Sequence, residues 1–244
     1  MSFGNNQVPG RLDPPTDVVR INGVDVRVGA RTQGAFLTQA FFWMFAGLLL
    51  TAAVAAFVQF SPGLLTFAAD YFLVVFLAQL ALVMVISAGI SRLNATAALG
   101  LFFVYAASLG ITMGLIVSLY TGESVVTAFL SASAMFGAAA LYGYTTKRSL
   151  AGVGGFASMA VVGLIVAVIV NMFLASGPLG YVISIIGVVI FTALTAWDVQ
   201  RISSGNLVQT TGSVEKAAVI GALHLYLDFV NLFLFLLRLF GGRR

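Results

Sequence analysis

Two aspartates, one histidine and one asparagine interrupt stretches of this chain that are otherwise apolar. Residues 223–231 read Leu-His-Leu-Tyr-Leu-Asp-Phe-Val-Asn, and on a helix His224, Asp228 and Asn231 fall on one face. Asp228 follows Lys216 by twelve residues, a rise of about 18 Å, which sets it well inside a hydrophobic layer. A carboxylate there costs several kcal/mol unless it is protonated, paired or hydrated, so this stripe is expected to face the interior of a helix bundle. Asp198 closes another apolar segment in the run Ala193-Leu-Thr-Ala-Trp-Asp-Val-Gln-Arg201, with Thr195, Phe191, Gly187 and Ser184 continuing its face. By pattern alone it also reads as an interfacial acid beside Arg201. Arg92 closes an earlier segment on the same side and stands at a depth where it can pair with Asp198. Two carboxylates within hydrogen-bonding distance do not both ionise cheaply, so they share a proton and titrate as a unit. Fully deprotonated, they form an oxygen-rich anionic site suited to a hard cation, with Asn231, carbonyls or waters completing the shell.

The elements that must position these groups follow from composition. Of 244 residues, 60% are hydrophobic and only 8% charged, and the mean hydropathy is +1.06. A soluble domain carries about 25% charged residues, so this chain belongs in lipid. Its net charge of +4 arises from basic residues scattered over tails and short loops. No basic patch is interleaved with solvent-facing aromatics, and nucleic-acid binding is not expected. There is no cysteine and one histidine, which excludes disulfides, thiolate catalysis and the usual zinc sites.

Crossing a hydrocarbon core takes about 20 apolar residues. Such stretches lie at 35–60, 68–91, 95–119, 123–145, 152–174, 179–200 and 216–240, with short breaks between them and a longer loop at 201–215. The reading is all-α: a polytopic membrane protein with seven transmembrane helices, residues 35–244, behind a polar N-terminal tail, residues 1–34. That tail lacks an apolar run, so no cleavable signal is expected. Arg11, Arg20, Arg27 and Arg31 of the tail, Arg92, Lys147 with Arg148, and Arg201 with Lys216 fall on alternate sides from the loops that lack Lys and Arg. The positive-inside rule then puts the N-terminus in the cytoplasm of a multi-pass inner (plasma) membrane protein. Arg243 and Arg244 run against it: either they are tolerated outside or the seventh segment is re-entrant, and seven full crossings is the expectation. Gly110 with Gly114, and Ser133 with Gly137, are small pairs four apart that are expected to let helices approach closely. Asp70 and Glu123 read as solvated acids at helix starts, and Arg238 as a residue that snorkels to the interface.

Three segments carry a resemblance to the bacterial branch of the transmembrane Bax-inhibitor motif family. They are Phe36-Leu-Thr-Gln-Ala-Phe-Phe-Trp-Met44 with Gly47-Leu-Leu-Leu-Thr51, the Trp-Asp-Val-Gln stretch at 197–200, and Leu223 to Gly241 with its Tyr-Leu-Asp-Phe-Val-Asn-Leu-Phe core. Thr145-Thr-Lys-Arg-Ser149 adds to it, and the likeness spans about 35–241. The resemblance implies six helices around a central seventh. It implies that Asp198 and Asp228 form a proton-sensitive pair on the pathway of a pH-dependent calcium leak, with calcium as a transported or transiently bound ion and no other cofactor. It implies further that Arg92 latches Asp198 in the closed state. His224 departs from the family's usual smaller residue and adds a third titrating group.

Other classes compete with this reading. A membrane interaction protein that regulates a membrane-bound protease, without transport of its own, would use the N-terminal tail as its handle. A proton-coupled transporter fits intramembrane acids, but no inverted repeat or interrupted helix pair is visible. An enzyme is not expected: there is no nucleophile-elbow motif, and one imidazole with two acids makes a poor zinc set.

Overall fold

A computed structural model describes residues 18–21, 24–27 and 30–242. In lipid every backbone N–H and C=O must be satisfied within its own segment, and the long apolar stretches accordingly become helices. They are α1 (Ala30–Gln59), α2 (Pro62–Asp70), α3 (Phe72–Gly89), α4 (Ala95–Ser118), α5 (Gly122–Thr145), α6 (Ala151–Leu174), α7 (Gly177–Ser203), α8 (Asn206–Thr211) and α9 (Val214–Phe240). All but the short α2 and α8 are long and apolar enough to span a membrane, giving the seven expected crossings. Ahead of them, β1 (Val18–Ile21) and β2 (Val24–Arg27) pair antiparallel, with Val18 opposite Arg27 and Ile21 opposite Val24. The sequence does carry its signal, Asn22-Gly23 between alternating apolar residues, which a reading of 1–34 as a polar tail passes over.

Two further departures lie in the connections. The stretch after residue 61 is a separate helix, α2, started by Pro62 in the first turn and broken from α3 at Tyr71. The 201–215 loop contains α8, bracketed by Gly205 and Gly212, both with positive φ (73° and 75°). Only glycine takes that conformation without steric cost, so these two residues set the chain reversal that leads into α9. Ser213 then caps α9, its hydroxyl accepting from the Lys216 amide at 3.2 Å, as Ser, Thr, Asn and Asp do at helix starts.

The seventh crossing, α9, is central. It packs against α1, α4, α5 and α7, with α8 across its first turns, and it is buried on every side between Ala217 and Phe229 except at His224 and Leu227. The surround is not a ring of six helices, however. α3 packs on α4 and α2, and α6 on α7. Large apolar side chains such as Phe42, Phe57, Met84, Phe156 and Phe173 are exposed around the outside, where lipid replaces solvent.

Small residues set the tight contacts. A Cβ on Gly110 would lie 2.6 Å from Val54 Cβ and one on Gly114 would lie 2.7 Å from Val58 Cβ, so the α1–α4 contact depends on both glycines. The Ser133/Gly137 pair does not play the part its spacing suggests. Gly137 faces open space, and the α5 glycine that meets a neighbour is Gly143, seated on the Ala196 carbonyl of α7.

The crossings are complete. At one end, Lys216 Nζ donates to the Ser91 carbonyl (3.3 Å) and Gln200 joins the α5–α6 turn, which gathers Arg92, Lys147, Arg148, Arg201 and Lys216 there. At the other end the Gly242 amide donates to Ser124 Oγ (2.9 Å) and the Thr121 amide donates to the Gly242 carbonyl (3.2 Å). Helix α9 therefore runs from the basic end to the opposite end and is not re-entrant.

Candidate functional site

The site lies where α7 and α9 face one another. On α7, Ser184, Gly187, Phe191, Thr195 and Asp198 follow at helical spacing; on α9, His224, Asp228, Asn231 and Phe235 do the same. The helices are antiparallel, so the polar halves of the two stripes meet toward the basic end and the apolar halves toward the other.

Asp198 and Asp228 are both buried, at 6% and 4% exposure. His224 Nδ1 stands 3.6 Å from Asp198 Oδ1, and the imidazole remains a quarter exposed. Asp228 lies one helical turn deeper on α9, within electrostatic range of Asp198 and against Thr195. The Thr195 hydroxyl donates to the Phe191 carbonyl at 2.8 Å. Among the described residues, His224 Nδ1 and Asp228 Oδ2 are buried without a hydrogen-bond partner. A buried polar atom left unmatched costs free energy, and here two such atoms sit beside a carboxylate pair.

The depths of the two acids reconcile through α8. Asp198 is five residues from the end of α7, whereas Asp228 is fourteen from the start of α9. Helix α9 begins beyond the end of α7, and α8 covers its first turns. His224 thereby comes level with Asp198, and Asp228 with Thr195.

Asn231 continues the stripe, but its Nδ2 donates to the Leu227 carbonyl of its own helix at 2.8 Å. Arg92 is not brought to the pair. It is exposed at the α3–α4 turn, and among the described residues the basic group in contact with Asp198 is His224. Arg201 does not neutralise Asp198 either, since its guanidinium lies over the Trp197 ring, 5.3 Å from the centroid. Asp70 and Glu123 are exposed. The Arg238 guanidinium rests against Gly180 and Asn171, far along α9 from the acids.

The 197–201 run holds α7 in register around the site. Trp197 fills the space left by Gly154 on α6. Gln200 bridges to the α5–α6 turn, accepting from the Leu150 amide and donating to the Arg148 carbonyl, both at 2.8 Å. On the other side of α9, Tyr226 reaches Thr51 at 2.6 Å. The single Thr51 hydroxyl proton faces the carbonyls of Ala106 (2.9 Å) and Gly47 (3.0 Å), so Tyr226 is the donor to Thr51. That bond ties α9 to α1, and the Thr51–Ala106 bond ties α1 to α4. Gln200 and Thr51 both fall within the segments that carry the family resemblance, but nothing in the sequence shows which helices they bond.

Toward the opposite end the interface becomes aromatic. Phe235 packs on Gly187, where a Cβ would come within 2.6 Å of its ring. It also stacks on Phe191 with centroids 5.9 Å apart. The acids thus lie below an aromatic seal.

Residues 33–244 match the family model described as inhibitor of apoptosis-promoting Bax1. The inner membrane protein YbhL of Escherichia coli (strain K12) is 44% identical over 227 residues, covering 91% of this chain and 96% of the relative. A protein of Deinococcus radiodurans is 42% identical over 209 residues, covering 85% of this chain and 90% of the relative. YrjE of Lactococcus lactis is 38% identical over 229 residues, covering 91% and 97%.

Proposed function

The chain belongs to the Bax inhibitor family, and from that premise we propose that it is a pH-sensitive calcium leak channel gated by the coupled pair Asp198 and Asp228. The observation that carries this reading is the burial of two carboxylates, on facing helices of the central interface, with a histidine as their basic contact among the described residues. A carboxylate within a spanning helix is costly unless it is protonated, paired or hydrated, and such residues mark ion and proton pathways.

In this mechanism the partly exposed His224 is the entrance from the basic end, and Asp198 and then Asp228 receive the cation. Ionised, the two acids and the Thr195 hydroxyl offer a calcium ion part of its six to eight oxygens, and waters travelling with it supply the rest. Protonation of either acid removes charge from the path, so the pair titrates as one gate. Passage beyond Asp228 requires Phe235 and Phe191 to part. Arg92 enters the account as the latch of a different conformation, one in which the α3–α4 turn closes over Asp198. In this reading the basic end is the cytoplasmic one.

The test is calcium flux into proteoliposomes. The wild type is expected to leak in a pH-dependent manner, and Asp228→Asn to lose on the order of tenfold of that flux, the effect of removing about 1.4 kcal/mol of cation interaction. Equal flux and equal pH response in the variant would contradict the proposal.

A further inference from the structure

Behind α7, on the side away from the acid pair, α5, α6 and α7 leave an open groove of about 510 Å³. Its floor is made of small side chains, Ala139 on α5 with Ala193 and Ala196 on α7, and its walls of Val153 and Val188. All of it except Leu150, just ahead of α6, lies within spanning helices. The groove therefore faces lipid.

Its dimensions select the occupant. Val188 and Ala196 are eight residues apart, so the groove runs about 12 Å along α7, and its volume then corresponds to a cross-section on the order of 40 Å². A helix with side chains is 10–12 Å across and needs a far wider trough. An extended acyl chain fits. At its lower end the groove is closed by Leu150 and Tyr142, next to the α5–α6 turn that carries Lys147 and Arg148.

That turn is built to present charge. Gln200 takes up the Leu150 amide and the Arg148 carbonyl, which fixes the backbone while both basic side chains remain exposed. Among the described residues neither is held in an ion pair, and Arg201, the other cation nearby, is turned onto Trp197. A basic pair at the membrane surface attracts anionic headgroups. We infer that this groove is a specific site for an anionic phospholipid, with one acyl chain along α7 and its phosphate at Lys147 and Arg148. Seated there, the lipid braces α7 from behind and so bears on the register of Asp198.

Trp197 reports on the site, because it packs with Ala139, Leu150 and Ala196 at the groove's lower end. The chain has two tryptophans, so Trp43→Phe leaves Trp197 as the single fluorophore. The full chain is placed in phosphatidylcholine vesicles containing a minor fraction of chain-brominated phosphatidylglycerol or chain-brominated phosphatidylcholine. Brominated phosphatidylglycerol is expected to quench Trp197 well beyond its mole fraction. The paired substitution Lys147→Gln and Arg148→Gln, which alters exposed side chains only, should weaken that preference roughly thirty-fold. Ala193→Phe, filling the floor, should remove the excess quenching with both cations in place. Quenching that is equal for the two lipids in the wild type, or a preference that survives the paired substitution, overturns the proposal. So does a cross-link between two copies through the groove with no excess quenching, which would make the occupant a second chain.

Discussion

At the scale of single residues, His224 distinguishes this site from a plain pair of acids. It stands against Asp198 and is more exposed than either carboxylate. His224→Gln keeps much of the size and the hydrogen-bonding capacity but removes the ionisable ring. The expected outcome is a leak that persists with a narrower pH profile, measured as flux across a pH series; an unchanged profile would assign His224 a packing role alone. Asp228 was legible from depth in the sequence, because twelve residues from Lys216 on a helix leave no other location. Asp198 was not, since an acid beside Arg201 at a helix end has two readings. Only the azimuth of α7 decides between them: it turns Arg201 onto Trp197 and Asp198 onto α9.

Among the elements, α7 is positioned from both sides, and each side offers a test. Gln200→Leu strips the α5–α6 turn of two hydrogen bonds and leaves the Leu150 amide unmatched. The expected cost is about 1–3 kcal/mol, read as a lowered midpoint in thermal unfolding of the purified protein. On the facing side, Phe235→Ala removes the ring that fills the Gly187 notch. It should raise calcium leak at every pH, because it opens the seal and leaves the acids alone; a leak equal to wild type would locate the barrier elsewhere. Most helix lengths could be read from the apolar runs. Which small residue meets a neighbour could not: Ser133 and Gly137 have the right spacing on the wrong face, and Gly143 makes the contact. Periodicity fixes the stripe on a helix but not the direction from which the next helix arrives. α2 and α8 went unseen for a related reason, since turns of six to nine residues lack the length that makes an apolar pattern recognisable.

Over the whole molecule, the acid pair sits at the centre of a bundle whose outermost members, α3 and α6, are attached through single neighbours among the spanning helices. The latch proposed for Arg92 would require the α3–α4 turn to move toward Asp198. The N-terminal segment ahead of residue 33 lies outside the family match, and in the competing proposal it would be the handle for regulating a membrane protease. Deleting residues 1–30 should leave flux intact; loss of a protease-linked phenotype in that variant, with flux unchanged, would favour the regulatory role. The central claim, a coupled pair acting as one gate, is tested most directly by calcium flux against pH in proteoliposomes for the wild type, Asp198→Asn, Asp228→Asn and the double variant. Groups that act as a unit are not additive, so each single variant should flatten the pH response and the double variant should add little to either. Independent, additive losses, or a pH response that survives in the double variant, would contradict it.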